Sequence, residues 1–600
     1  MSINTIYFYK MKKLILFSIT IALIYSCGQE ETSKEGLTLL KGGKYSGGIL
    51  RVNEVEFFRN LYPLNVTDLI SYNIANQIYE GLIKPSQTDL SICPALAESW
   101  SKNEDATIWT FKIREGAKFH DDECFDGGEG REITAKDFKW CFDNLCAASP
   151  QNQMYSLTFE NRVKGAVEYY QSTKDKKPLA GGVSGVKVLD DYTLEITLNY
   201  SFAGFPNILA MMPGTYLFPK EAHEKYGEIG MRTKAVGTGP FMLKTVKEGE
   251  AVVLERNPNY WGEDADGNSL PYLHGIRISF IKEKKQEFLE FKKGDIDMVF
   301  GIPTENIKDI LSELRSAKEN KPFQLQIIPA MGLFYFGYLH PVPPFNDTRV
   351  CLAFNYAIDR EKIINYVLQG DGLPANYGVV PPSAAFIKMG YDTSNIKGYN
   401  FNPTLAKKLL AEAGYPNGKN FPQITLQIYS GGGDRNALIA QSVQSMLNEN
   451  LNLNINIETL PLAQHYDKIE AGNARFWLAR WIADYPEPET FLTIFYSGHI
   501  PPFLSDRSYV NATRFKNAKY DSLFTLAIKE VNDKKRMELY RQADQIAIDE
   551  SAIMPLYYLE HYRLLQNNVK NFDANGMEHR NMSVVYLTPE ENTVIAQPQP

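Results

Sequence analysis

The sequence predicts an α/β protein built of several domains, and three observations predict it. Short apolar or alternating runs, bounded by Gly, Pro and Asn, recur along the chain and alternate with stretches of helical period. The 600 residues suffice for roughly two to four domains with sizeable cores. The 35 Tyr and 33 Phe supply apolar mass for those cores and for broad aromatic surfaces. Charge excludes one class of partner: 71 acidic residues outnumber 63 basic ones, which argues against nucleic acid.

Near the N-terminus, Met11-Lys12-Lys13, with Met11 a candidate start, precedes an apolar run from Leu14 to Tyr25 broken by Ser18 and Thr20. Ser26-Cys27-Gly28 ends it. A basic segment, a short apolar core and a small residue before a cysteine read as a secretory signal, and the run is too short to span a bilayer as a helix. Ile24-Tyr25-Ser26-Cys27 resembles a bacterial lipobox, with Tyr25 an unusual filler. Residues 1–26 are therefore expected to be removed and Cys27 to carry lipid; the alternative is a plain secretory signal with an accidental cysteine. Removal takes away Lys10, Lys12 and Lys13 and no acid, so the mature chain is more acidic still. Residues 27–47, polar and glycine-rich, read as a flexible tether. Glu30 and Glu31, just after the anchor, point to surface display in some bacterial groups.

The elements follow in order. Gly48 to Val52 reads as the first strand. Ile74, Ile78 and Leu82 share one face of a helix closed by Gly81. Trp109 to Arg114 alternates as a half-buried strand, and Thr134 caps a helix. The longer acidic loop from Asp121 to Arg131 lies between them. Val186 to Leu198 holds two alternating strands around a turn. Gly237-Thr238-Gly239-Pro240-Phe241 lacks the Lys and the spacing of a phosphate loop and reads as a tight turn into a strand. Asn402 with Pro403 starts a helix that Gly414 stops. Ile424 to Ile428 and Asn452 to Ile457 read as strands. Five cysteines follow Cys27, with no Cys-x-x-Cys pair and no His cluster at metal spacing. In an exported protein Cys93 and Cys124 are the best candidate disulfide; Cys141 and Cys146 read as buried thiols. No metal, cofactor or catalytic group is expected.

The chemistry centres on Ala479-Arg480-Trp481-Ile482-Ala483-Asp484-Tyr485-Pro486-Glu487-Pro488. Phe476 to Ile482 reads as a buried strand that Pro486 and Pro488 stop. Asp484 is then a carboxylate at the end of a buried strand, where an unpaired charge is costly. It is either a structural partner of Arg480 or a loop donor, or a carboxylate for a cationic ligand group.

Trp-x-Ala-Asp-Tyr-x-x-Pro resembles the segment of family 5 extracellular solute-binding proteins that holds the α-amino group of a bound peptide. The string from Pro94 to Trp100 and Trp109 to Phe138, then Asn257 to Gly262, Gly294 to Asp297, Pro344 to Val350 and Met554 to Leu556, resembles the same family in the same order, over about residues 48 to 570. The resemblance implies a two-lobe periplasmic-binding-protein fold of type II, in its large three-domain variant. It assigns 48–82, 201–330 and 549–600 to lobe I, 83–200 to an extra small domain, and 331–548 to lobe II. It implies a monomeric lipoprotein of the cell envelope, facing the periplasm or the cell surface, that captures peptides for the permease of an ABC importer. Asp484 would hold the amine, with Trp481, Ala483, Tyr485 and Arg480 beside it and Asp68 and Leu69 on the other lobe. A plain helix cap at Asp68 is the competing reading. Where peptide-specific relatives hold the ligand carboxylate, this chain has Leu368, Asn436 and Leu478; Arg435, Arg475 and Arg480 stand nearby. Related proteins carry nickel chelates, haem or oligosaccharides, the alternative ligands. A carboxylate-pair hydrolase using Asp484 with Glu487 or Glu489 is the remote one.

The lipid anchor is directly testable. Cys27→Ala should leave the membrane fraction and keep its fold. Retention through a wash that strips peripheral proteins would refute the anchor.

Overall fold

A computed structural model describes residues 36–589, apart from 303–305, 308, 309, 311, 315–320 and 431–433. The signal, Cys27, Glu30 and Glu31 lie outside the described residues. The stretch read as a flexible tether is docked from Thr38 onward. Thr38–Leu39 pairs with Tyr45–Ser46, and Lys44 reaches Asp264 at 2.8 Å and Asp266 at 2.9 Å.

One mixed sheet runs through the molecule. Its main strands in chain order are β1 (Ile49–Asn53), β2 (Phe241–Lys247), β3 (Ala251–Arg256), β4 (Gly275–Ser279), β5 (Met298–Phe300), β6 (Gln324–Tyr338), β7 (Thr425–Tyr429), β8 (Asn456–Leu460), β9 (Phe476–Ile482) and β10 (Ile553–Leu565), and the two-residue strand Leu373–Pro374 pairs with β10 off this path. Their spatial order is β2-β3-β4-β1-β5-β10-β6-β9-β7-β8. β1 runs parallel to β4 and β5, and β7 parallel to β8 and β9; the other pairs are antiparallel.

β6 and β10, at 15 and 13 residues, are more than twice the usual strand length, and they join the two halves of the sheet. Gln324 to Pro329 pairs with Leu565 to Glu560, and Leu333 to Gly337 pairs with Tyr558 to Ile553; the register shifts in between. β5 joins the first stretch of β10 and β9 joins the second stretch of β6. A separate four-stranded antiparallel sheet, in the order 97–102, 108–113, 193–197, 186–190, forms within residues 83–200. Thr134 and Asp137 make a capping box on the helix that packs against it.

Several expectations shift. The first helix, α1, spans Leu69–Ile78; Leu82 is buried but lies beyond its end. Gly237 and Gly239 explain that ending: a Cβ at Gly237 would stand 2.1 Å from the Ile78 carbonyl oxygen, to which Gly239 donates at 2.8 Å. Asn452 is not in a strand. It ends the helix α2 (Arg435–Leu451) in the left-handed region at φ 56°, and β8 starts only at Asn456; Asn tolerates that conformation. Cys93 and Cys124 are both free thiols. Cys93 is held in a short hairpin strand opposite Lys84, whereas Cys124 sits in the acidic loop against Asp122, where burial pushes its thiol up to about 12.

Apolar side chains gather into large clusters on either side of the register break. One combines residues near β1 to β5 with the 83–200 segment. Two others pack on the two faces of the β6-β9-β7 region. Tyr485 crosses from the second half into the first cluster, and Leu90 crosses the other way.

The helix α3 (Asp533–Asp549) fixes the loop after β9. Arg536 Nε meets Glu487 Oε1 at 2.8 Å, with side chains 6% and 1% exposed. Burial pushes the Glu487 carboxyl up and Arg536 opposes it. Arg536→Met would strand that carboxylate and should cost about 3–5 kcal/mol in chemical denaturation. A folded pKa above the unfolded one favours folding at low pH, so the deficit should shrink as pH falls toward 4.

Candidate functional site

β9 alternates, and the alternation sorts its residues. Arg480, Ile482 and Asp484 are exposed, whereas Ala479, Ala483 and Tyr485 are buried and Trp481 is half-buried. In a strand, residues two apart share a face, so Arg480, Ile482 and Asp484 form one presented row. Trp481, Ala483 and Tyr485 form the row that packs. Trp481 donates through Nε1 to the Thr490 carbonyl at 2.6 Å, and the Tyr485 hydroxyl donates to Glu489 Oε2. Of the residues singled out in the sequence, Asp484 and Arg480 reach the solvent, while Ala483 and Tyr485 support the row behind them. Ile482, which the resemblance sets beside the ligand with Trp481 and Ala483, is 51% exposed and shares the row of Asp484.

The backbone of β9 is also open on one side. β6 covers one edge along the whole strand, but β7 pairs only with Phe476 and Trp477. From Ala479 to Ile482 the other edge has no strand partner among the described residues. Beyond it, Ala483 N–H donates to Met331 O at 3.0 Å and Asp484 N–H to Thr490 Oγ1 at 3.3 Å, which fixes the turn that presents Asp484.

The Asp484 carboxylate carries no ion pair or hydrogen bond among the described residues. The competing pair with Arg480 does not form, since the two side chains stand along the same row without meeting. Although exposed, Asp484 is set low in the wall, and the surrounding protein raises its carboxyl above the usual range; the Arg162 guanidinium opposes this. The neighbouring acids are committed elsewhere, Glu487 to Arg536 and Glu489 to Tyr485. A pair of carboxylates facing one substrate is therefore not formed here.

On the facing side, Asp68 caps α1. It accepts from Ser71 N–H at 2.9 Å and Ser71 Oγ at 2.7 Å. Its side chain is thus spent on the helix, as the plainer reading has it. Leu69 is 54% exposed and lines a cavity of about 350 Å³ between the halves of the molecule. β1, α1 and the Phe300–Ile302 segment wall one side, and Asp371 and Glu560 to Tyr562 the other, with Glu578 and Arg580 at one end. Sequence reading missed this chamber, although charges interrupting the otherwise apolar strand β10 at Glu560 and His561 were a visible sign. A depression of about 410 Å³ along β2 contains none of the predicted site residues.

Leu368 and Leu478 are fully buried, so neither presents a group to a ligand. Asn436 is buried and donates to Tyr429 O at 3.1 Å. Arg435 is engaged by Asp371 at 2.6 Å and the Tyr557 hydroxyl at 3.1 Å. Among the described residues no group of three or more His, Cys, Asp or Glu could hold a metal ion, and no helix is long and apolar enough to cross a membrane.

Residues 91–501 match the model of the bacterial extracellular solute-binding proteins, family 5 Middle. The periplasmic oligopeptide-binding protein OppA of Escherichia coli is 29% identical over 533 residues, which is 88% of this chain and 91% of that protein. Heme-binding protein A of Haemophilus influenzae is 24% identical over 570 residues, 94% and 96% of the two chains. Among solved structures, the unliganded open form of the periplasmic murein tripeptide-binding protein MppA superposes with a TM-score of 0.72 at 24% identity, covering 92% of this chain and 99% of that one. The fold is thus the multi-domain, type II periplasmic-binding-protein fold.

Proposed function

The chain belongs to the bacterial extracellular solute-binding proteins of family 5, and on that premise we propose that it captures peptides between its lobes for the permease of an ABC importer. The observation that carries this is the unpaired Asp484 carboxylate beside the open edge of β9. An extended peptide can add to such an edge through its main chain, while its α-ammonium meets the carboxylate in a charge-assisted hydrogen bond. OppA relatives are oligopeptide binders by name, which supports the same reading. Lobe I takes in 48–82, 201–330 and 549–600, the small domain 83–200, and lobe II 331–548; the apolar clusters support a division between the lobes near the register shift, with 552–558 packing on the lobe II side and 83–200 sharing one core with lobe I. The protein acts as a monomer, anchored through Cys27 to a membrane of the cell envelope. Binding, not turnover, is its activity. The ligand that co-purifies, read by mass spectrometry, tests the reading: a nickel chelate, haem or an oligosaccharide in place of peptide would overturn it.

Asp484→Asn removes one partner of a desolvated charge pair, which costs about 2–5 kcal/mol. Peptide affinity should fall roughly 30- to several-thousand-fold in calorimetric titration. N-acetylated peptide should lose a similar amount against the wild type and little more against the variant; simple addition of the two losses would make Asp484 a structural residue. Ammonium binding needs the carboxylate ionised. Because the free carboxyl sits above its usual range, affinity should decline on acidification from above pH ~4, and the Asn variant should not follow that decline.

Closure is the second expectation. Saturating peptide should lower the radius of gyration in solution scattering and raise the melting temperature by mass action. An unchanged radius would count against a closing cleft.

A further inference from the structure

The chamber between the halves has a charge inventory that the amine site does not account for. Its two cations are already neutralised. Lys284 Nζ meets Glu287 at 2.7 Å and donates to Phe300 O. Arg580 meets Glu54 at 2.5 Å and Glu578 at 3.6 Å. Asp371 is paired with Arg435, and Glu578 also meets Arg563 at 3.2 Å. Glu560 differs from all of these. Its carboxylate accepts only from neutral donors, Gly372 N–H at 3.1 Å and the Tyr562 hydroxyl at 3.2 Å, and no cation stands within ion-pair distance among the described residues. It lines the cavity and is half-buried. Burial raises its carboxyl, and Asp371 nearby adds to the rise. Leu69, Ile70, Phe300 and Ile302 give the same chamber an apolar wall.

We propose that Glu560 makes this chamber a pocket for a basic side chain of the ligand, a lysine or an arginine, whose methylenes lie on the apolar wall. A long cationic side chain matches both features, because its stem is apolar and only its tip is charged. Such a tip supplies the one counter-charge that the chamber lacks. An acidic side chain would instead add a negative charge next to Glu560 and Asp371, with both lining cations already committed. β9 and β10 flank β6, with Glu560 opposite Pro329 and Ala483 bonded to Met331. Glu560 and the end of β9 therefore stand on either side of β6, at the level of its register shift.

The inference rests on the peptide reading, and its test separates the two. Tetra-alanine variants carrying lysine or its neutral isostere norleucine at positions one to three are titrated calorimetrically into wild-type protein and Glu560→Gln. Glutamine keeps an acceptor for Gly372 and Tyr562, and the readout is the ratio of the two affinities, from which general damage cancels. Lysine should be favoured by about tenfold or more at one position in the wild type, and the ratio should fall to near one in Glu560→Gln. Equal affinities in the wild type, or a lysine preference that survives the substitution, would overturn the pocket while leaving peptide capture intact. No binding of any peptide would sink the peptide reading and the pocket with it.

Discussion

The ladder between β6 and β10 is the constraint on which the rest depends. Both strands pass through both halves of the molecule, and their pairing shifts register between Pro329 and Leu333 on β6, opposite Glu560 to Tyr558 on β10, and again between Phe334 and Tyr335. Below the break β10 accepts β5; above it β6 accepts β9. The two halves share a backbone hydrogen-bond network, yet their apolar cores separate at the same level. A shared ladder with an irregular middle and separate cores can bend without unfolding either side, because bending changes few apolar contacts. Glu560 and Met331, the acceptor for Ala483, stand at that break. The candidate binding groups are therefore attached where the two halves join.

Electrostatics then separates carboxylates that hold structure from those that wait. Glu487 and Glu489 follow Asp484 within five residues, yet Glu487 is enclosed with Arg536 and Glu489 with Tyr485. Both lock the turn after β9 in place. A buried ion pair adds little net stability over an apolar pair of similar size, but removal of one member is severe, so such a pair serves to define one geometry. Among the described residues Asp484 carries no such partner, and Glu560 accepts only from neutral donors.

Much of this was legible from the sequence, and what was not has physical reasons. Strand–helix order, the N-caps at Thr134 and Asn402, and the boundaries of β9 follow from local chemistry, which acts over a few residues. The end of α1 did not: Gly237 and Gly239, far along the chain, decide it by pressing on Ile78. Asn452 was read as a strand residue because it alternates with Leu453, whereas its tolerance of positive φ makes it a helix stop. The Cys93–Cys124 pairing failed because spacing says nothing about which thiols approach. The unpaired state of Asp484 follows from its position at the end of an apolar run, one of the two readings the sequence offered. Asp68 remained ambiguous, since capping and ligand contact draw on the same carboxylate, and only the neighbouring Ser71 hydroxyl decided between them. The chamber around Glu560 needed the fold, because its walls come from β1, α1, β10 and the segment after β5.

Presentation of Asp484 reduces to a question of register. In a strand, a slip of one residue exchanges the two faces. Such a slip in β9 would turn Asp484 inward and bring Trp481 and Tyr485 out, at the cost of a buried carboxylate and of two aromatic surfaces returned to water. Full burial of one large apolar side chain is worth about 1.5–3 kcal/mol. The aromatic row therefore holds the register more firmly than the few hydrogen bonds of the turn. Leu333 opposite Trp481, and Tyr338 opposite Phe476, pin the strand at both ends against β6. The packing row and the binding row are then two faces of one alternation. The bulk at Trp477, Trp481 and Tyr485 is what delivers a charge at Asp484 to the cleft.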